Sequence, residues 1–267
     1  MRPGAPRIVL DGLTKTFAVG RGLTVPAVEG VSYQVRQGEF VALIGPSGCG
    51  KSTILNMIAG LIPRSGGSIR IDGREVEAGR PTPRVGYVFQ RDTVFPWRTV
   101  RRNIALGLEL AHRPRAEREA EVARMIERAK LSGFEDAFPI TLSGGMRQRV
   151  SLMRTLVMRP EILLMDEPFG ALDTHTKLEM QNFLLEIWEE QQQTVIFVTH
   201  DLAEALTLAD RIVVLSARPG RIKEVFEVPF ARPRNAIALR ETPEYSALFS
   251  RVWHSLGEEF QRSRAEG

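Results

Sequence analysis

The sequence predicts an α/β fold built on a mostly parallel core sheet, and three observations carry that expectation. First, the apolar run Glu39 to Ile44 leads into the glycine-rich stretch Gly45-Pro46-Ser47-Gly48-Cys49-Gly50-Lys51-Ser52-Thr53. Ile54, Leu55, Met57 and Ile58 follow at helical spacing and Gly60 ends them, so a buried strand turns sharply into a helix. Second, Ile162-Leu163-Leu164-Met165, Val195-Ile196-Phe197-Val198 and Ile212-Val213-Val214-Leu215 are short apolar runs separated by helical stretches, as parallel strands covered on both faces require. Third, the passage from about 91 to 159 changes to helical character and reads as an inserted subdomain.

Taken in order, Ile8 to Leu43 alternates and is punctuated by glycines, with Val31-Ser32-Tyr33-Gln34-Val35 before an Arg36-Gln37-Gly38 turn, which predicts antiparallel strands. Ser68 to Val76 repeats the theme with Asp72-Gly73 as hairpin turn. Glycines at 45, 48 and 50 let the next turn bend without Cβ clashes, so that successive N–H groups and a helix N-terminus face phosphate oxygens. Lys51 adds a charge near the β- and γ-phosphates, and the Ser52 hydroxyl is placed to ligate Mg²⁺. In the helical passage, Glu117 to Leu131 carries Val122, Met125, Ile126, Ala129 and Leu131 on one side and charges on the other. Beyond Arg218-Pro219-Gly220-Arg221 a strand pair and a terminal helix around Pro243 to Phe260 are expected. The expected segments are 1–90 (antiparallel β-subdomain and phosphate-loop part of the core), 91–159 (helical subdomain), 160–220 (remainder of the core) and 221–267 (C-terminal extension).

Composition excludes several classes. With 43% hydrophobic and 25% charged residues over 267, the chain is an ordinary soluble globular one. No apolar run approaches the ~20 residues of a bilayer-spanning helix, and Met1 to Pro6 lacks the apolar core of a secretory signal, so a cytoplasmic location is expected. The single cysteine, Cys49, allows no internal disulfide and has no metal-ligand spacing. A balance of 36 basic against 32 acidic residues is too mild an excess to argue for nucleic acid.

Asp166 and Glu167 follow directly on an apolar strand, which puts both carboxylates at the carboxyl edge of a parallel sheet beside the phosphate loop. In phosphate-loop enzymes the first acid supports Mg²⁺ and the second can orient and deprotonate the attacking water, although strand-end acids also serve simply as turn caps. Leu142-Ser143-Gly144-Gly145-Met146-Arg147-Gln148-Arg149 opens a helix running through Val150, Leu152, Met153, Leu156 and Val157, a second anion-facing helix end. Ser143 is also a ready N-cap for that helix, but the two glycines exceed what capping requires.

With these motifs in this order, the chain from about Ile8 to Gly220 resembles the ATP-binding cassette ATPases. The resemblance implies their P-loop fold, with ATP and Mg²⁺ bound. It implies that Ser143, Gly144 and Gly145 complete the site of a second subunit against the loop Gly45 to Thr53, giving a head-to-tail homodimer. It assigns catalytic roles to Glu167 (base), His200 (γ-phosphate switch), Gln90 (sensor of Mg²⁺ and water) and Lys51, and metal binding to Ser52, Gln90 and Asp166. Asp173, in Gly170-Ala171-Leu172-Asp173, matches the loop crossing the interface and equally reads as a helix N-cap. Phe17, in Leu13-Thr14-Lys15-Thr16-Phe17, matches the aromatic against adenine, with core packing as the alternative. Met146, Gly170 and Phe17 stand where glutamine, serine and tyrosine are commoner; none removes a catalytic group. Cys49, beside the phosphates at a helix start, is in a setting that favours thiolate.

Among cassette ATPases the sequence favours an importer subunit. Only about fifty residues part Gln90 from Leu142, too few for the long coiled coil of repair-type members. There is a single cassette, and no fused membrane helices. A separate membrane permease, contacted near Gln90 to Val100, and an extracytoplasmic solute-binding protein are the implied partners, which places the chain at the cytoplasmic face of the inner membrane. Trp97 and Phe95 in that segment also read as helical-subdomain core. Phe95-Pro96-Trp97-Arg98-Thr99-Val100, Asp166 to Asp173, and Arg232-Pro233-Arg234 followed by Pro243-Glu244-Tyr245 look like the nitrate, sulfonate and taurine importer ATPases. The alternative is a soluble cassette ATPase acting on nucleic acid or ribosomes.

Overall fold

The computed structural model describes residues 6–265 apart from Arg21, Pro83 and Ala171, so Ala171 of the expected interface loop and the outermost residues of the first and last expected segments lie outside the described residues. The chain begins with β1 (Pro6–Ala18), β2 (Thr24–Arg36), β3 (Phe40–Ile44), α1 (Lys51–Ile58), β4 (Gly66–Ile71), β5 (Arg74–Glu75) and β6 (Val85–Val88). Three helices follow, α2 (Val100–Leu110), α3 (Arg115–Arg128) and α4 (Gly144–Leu156). Then come β7 (Ile162–Asp166), α5 (Thr174–Gln191), β8 (Thr194–Val198), α6 (Leu202–Leu208), β9 (Arg211–Leu215), β10 (Ile222–Glu227), α7 (Ala236–Arg240) and α8 (Pro243–Ala265).

Two sheets result. The smaller is antiparallel, in the order β2-β1-β4-β5, with Leu10 opposite Tyr33 on one side and Ile69 on the other. Ile8, Leu10 and Leu13 are buried along β1 between more exposed neighbours, the alternation the sequence shows. Asp72 and Gly73 both take positive φ, 49° and 76°, as a tight hairpin turn between β4 and β5 demands. The larger sheet runs β10-β9-β3-β8-β7-β6, with β9, β3, β8, β7 and β6 parallel and β10 antiparallel at the edge.

Every residue of β3, β7, β8 and β9 is buried, because both faces of this sheet are covered. One face packs Val41, Leu43, Leu164 and Ile196 against α1 and the antiparallel sheet. The other packs Phe40, Phe197 and Val195 against helices, with Trp188 of α5 edge-on to Phe40 at 5.9 Å between centroids. Truncating Phe40 to alanine would cost about 3–5 kcal/mol through the cavity left behind. In the tail, Tyr245, Leu248, Val252 and Leu256 seat α8 on the same core. Two arginines fasten it. Arg232 donates to Asp210 at 2.7 Å and lies 4.0 Å over the Trp188 ring; Arg234, only 8% exposed, donates to the carbonyl oxygens of Ala209 (2.7 Å) and Thr207 (3.2 Å). Burial, with Arg232 nearby, pulls the Arg234 pKa down to about 10.

This topology brings five chain segments to one edge. The carboxyl ends of β3, β6, β7, β8 and β9 all open onto the same side of the sheet, where parallel folds hold their ligands. Among the described residues no helix is long and apolar enough to cross a membrane.

Candidate active site

β3 ends at Ile44, and α1 starts at Lys51 from Gly50, whose φ of 99° is left-handed. Between them the chain bends so tightly that two glycines are required by space. A Cβ on Gly50 would lie 2.7 Å from the Ala27 carbonyl oxygen, and one on Gly45 2.8 Å from Cys49 Sγ and 3.0 Å from the Leu215 carbonyl oxygen. Gly48 has open space but a φ of 78°, so it is the backbone angle that asks for glycine there. The Lys51 side chain, 6% exposed, folds back across the loop and its ammonium donates to the carbonyl oxygens of Gly45 (2.8 Å) and Pro46 (2.9 Å). A cation and a row of backbone donors thus face one concavity.

That concavity is a cavity of about 590 Å³. Ser47, Gly48, Gly50, Lys51, Ser52 and Thr53 line it from the loop and α1, and Gln90, Glu167 and His200 line it from the ends of β6, β7 and β8. Phe17, Ala27 and Arg218 complete it.

On the acidic side, three strand ends converge on one oxygen. Glu167 Oε2 accepts from Gln90 Nε2 at 3.0 Å and lies 3.2 Å from His200 Nδ1. The Glu167 backbone is left-handed, with a φ of 45°, a strain of about 1–3 kcal/mol that the surrounding fold holds in place; its N–H donates to Val198 at 2.9 Å. Ser52 Oγ donates to Asp166 Oδ1 at 3.0 Å. Burial pushes the Asp166 carboxyl pKa up, the Ser52 hydrogen bond opposes that, Glu167 reinforces it and Lys51 again opposes it. A hydroxyl, a carboxylate and the nearby Gln90 amide are hard oxygen donors, the set that suits Mg²⁺ shared with substrate phosphates, so the residues present fit that ion.

The predicted residues divide into three groups. Phe17, Ser47, Gly48, Gly50, Lys51, Ser52, Thr53, Gln90, Glu167 and His200 meet at the cavity, and Asp166 joins them through Ser52. Phe17 is 37% exposed in the cavity wall with the Lys15 ammonium 4.8 Å from its ring centroid, so it is not a core residue. Gly45, Pro46 and Cys49 are buried beneath the loop. Cys49 corrects the thiolate expectation: its thiol is 1% exposed, and burial pushes the pKa up more strongly than Lys51 pulls it back. Ser143, Gly144 and Gly145 stand away from the cavity walls. Ser143 and Gly144 are exposed at the start of α4, where Ser143 Oγ accepts from the Met146 N–H at 3.2 Å. A Cβ on Gly145 would lie 3.0 Å from Thr176 Cγ2, so this helix start abuts that of α5, which Asp173 caps by accepting from the N–H groups of His175 and Thr176 at 3.1 Å.

Trp97 is 69% exposed, which removes it from the helical core. Its segment is nevertheless held rigidly. Asn103, fully buried, accepts from the Phe95 N–H at 2.7 Å and donates to Phe95, Arg98 and Thr99, while Arg154 donates to Thr93 at 2.6 Å. Arg218 lines the cavity but is absent from the predicted site residues. The available signal was position: a basic residue just past the carboxyl end of β9, on the ligand edge of the sheet.

The ABC transporter family profile matches residues 28–170. The chain is 44% identical over 243 residues to a taurine import ATP-binding protein of Rhizobium johnstonii, covering 90% of this chain and 92% of the relative. It is 43% identical over 236 residues to an aliphatic sulfonates import ATP-binding protein of Bacillus cereus, covering 88% and 92%. Among solved structures, an ATP-binding cassette captured as a dimer in a post-hydrolysis state bound to ADP and Pi superposes with a TM-score of 0.75 at 32% identity, over 84% of this chain and 100% of that one.

Proposed function

The chain belongs to the ABC transporter family and is an ATPase of that family; from this premise we propose that it energises an importer for a small anionic or organic solute of the sulfonate or taurine kind, acting as a homodimer beneath a separate membrane permease. One observation carries the enzymatic part: the Glu167 carboxylate, bonded to Gln90 and beside His200, faces the same cavity as Lys51 and the phosphate loop. The names of the taurine and sulfonate relatives support the cargo class.

In the proposed mechanism the loop N–H groups and Lys51 hold the β- and γ-phosphates of ATP, and Phe17 offers its ring to adenine. Ser52, Asp166 and Gln90 would hold Mg²⁺, whose charge offsets that of the phosphates when it is bound. Glu167 takes the proton of the attacking water, which Gln90 orients, and His200 contacts the γ-phosphate from the far side of that carboxylate. The exposed Ser143-Gly144-Gly145 helix start of a second copy closes each site. The first N–H groups of a helix lack intrahelical partners, and apart from that of Met146, held by Ser143, they are available to a γ-phosphate; the helix start sits against the α5 start that Asp173 caps. Dimer closure then moves the segment around Trp97, whose exposed ring on a clamped loop supplies a docking surface for the permease.

The test is purification of the intact membrane complex and measurement of ATP turnover with taurine presented by the binding protein. Stimulation by taurine over nitrate is the expected result. Co-purification with ribosomes or DNA and no membrane protein would overturn the importer reading.

A further inference from the structure

One wall of the cavity holds none of the residues that the proposed mechanism uses. It is the loop 216–221 between β9 and β10, and it contributes Arg218. The Arg218 side chain is exposed into the cavity and its Nε donates to the Pro26 carbonyl oxygen at 3.3 Å. Pro26 pairs with Thr16, and Phe17 with Val25, so the guanidinium stands beside the strand pair that carries the aromatic ring. Among the described residues Arg218 has no carboxylate partner, which leaves the terminal donors of its planar fork free.

The loop is fastened on three sides. Gly220 bridges to β2 through its N–H to Ala27 (2.9 Å) and its carbonyl from Glu29 (3.0 Å). It is pressed so closely on the phosphate loop that a Cβ there would lie 2.0 Å from the Cys49 carbonyl oxygen. From behind, Glu259 of α8, 1% exposed, accepts from the Ala217 N–H at 2.8 Å and lies 3.1 Å from Lys223 Nζ. A buried carboxylate of the C-terminal helix therefore fixes the residue immediately before Arg218.

We propose that Arg218 is a nucleotide-binding residue whose guanidinium engages the α-phosphate, and that Glu259 is its positioning residue. In a nucleotide laid from the phosphate loop and Lys51 to Phe17, the α-phosphate would fall between the two, and Arg218 is held at Pro26, next to the strand pair that carries Phe17. A free, planar, permanently charged fork matches two phosphate oxygens, whereas a lysine would supply a point charge. This inference rests on the nucleotide-binding reading above, and the experiment separates the two.

ADP affinity is measured by calorimetry on the full chain carrying Arg218→Ala, Arg218→Lys, Glu259→Gln and the double change Arg218→Ala with Glu259→Gln, with Lys51→Ala as control. Arg218→Ala is expected to weaken ADP about tenfold, the scale of one solvent-accessible charge-assisted contact, and Arg218→Lys to recover part of that loss. Glu259→Gln is expected to weaken ADP about threefold, an effect that vanishes in the Arg218→Ala background because the two act through one contact. If the parent binds ADP, Lys51→Ala loses it and Arg218→Ala matches the parent, the Arg218 assignment fails alone. If the Glu259→Gln effect persists without Arg218, the positioning role fails. A parent that binds no ADP would sink the nucleotide reading itself.

Discussion

The side-chain amide of Gln90 donates to Oε2 of Glu167 across 3.0 Å, tying the end of β6 to the end of β7 at the oxygen that also faces His200. The carboxylate proposed as base is thereby oriented before substrate arrives, so replacing its charge and keeping its shape should isolate its chemistry. Glu167→Gln is expected to lower ATP turnover at least about 100-fold, the range for a general base, while nucleotide affinity changes little. Single-turnover hydrolysis alongside equilibrium ADP binding decides the matter. Turnover at the parental rate would remove Glu167 from the base role.

Asp166 gives a prediction about pH. Burial holds its folded-state pKa above the unfolded value near 3.8, so over that window the folded protein binds more protons than the unfolded chain and stability falls as pH rises. Asparagine keeps an acceptor for the Ser52 hydroxyl and carries no charge to desolvate. Asp166→Asn should therefore melt above the parent without ligand, by a margin that widens between about pH 4 and pH 7, while hydrolysis drops at least about 100-fold for loss of the carboxylate proposed to hold Mg²⁺. Thermal melts at both pH values test the sign; a margin that shrinks with rising pH would contradict it.

The sheet strands and the cavity-lining residues differ from the rest of the site in how they could be read. β3, β7, β8 and β9 are buried on both faces, so each leaves an unbroken apolar run, and the residues after three of these runs, Gly45 to Thr53, Asp166 with Glu167, and His200, inherit their place from the strand that delivers them. Arg218 also follows such a run, just past the end of β9, but the contacts that hold it are long-range and leave no local mark: Pro26 and Glu259 reach its loop from distant parts of the chain. The same holds for Arg232 and Arg234, whose partners at Asp210, Thr207 and Ala209 turn a basic tail motif into a docking clamp. Local chemistry misled at Cys49, where a helix start suggested a thiolate and the depth of the loop reversed the balance, and beyond Arg221, where the expected strand pair is one strand, β10, added antiparallel to β9.

That reversal can be measured. A thiol that is buried and pushed up in pKa reacts only when the phosphate loop opens, so a small alkylating reagent should modify Cys49 on the order of 100-fold more slowly in the native protein than in denaturant. Cys49→Ser, close in volume, is expected to retain ATP turnover within about threefold. The rate of thiol loss near pH 8, with and without denaturant, is the readout. Equal rates in the two conditions would mean that the thiol is accessible in the folded chain.

Lys177 and Glu204 link the helix after Asp173 to the histidine loop. Lys177 Nζ lies 3.1 Å from Glu204 Oε1 and 3.3 Å from Asp201 Oδ2, and the buried Glu204 also accepts from the hydroxyl of Thr199, next to His200, at 2.6 Å. Burial raises the Glu204 pKa, against the pull of the Thr199 bond and of Lys177. For a carboxyl raised in the folded state, stability is greatest below its unfolded pKa and falls as pH rises through the folded one. Lys177→Met removes the countercharge, which raises the folded pKa further and carries the loss to higher pH. The cost at about pH 8 should sit at the low end of about 3–5 kcal/mol, because Lys177 keeps 19% of its side chain in water, and it should be smaller at about pH 5, since the raised pKa makes protonation of Glu204 easier as pH falls. Adding Glu204→Gln should restore most of the stability, since no buried charge then lacks a partner. Denaturant titrations of both variants at the two pH values carry the test. A penalty independent of pH, or one that the second substitution leaves untouched, would show that Lys177 stabilises the fold by packing alone.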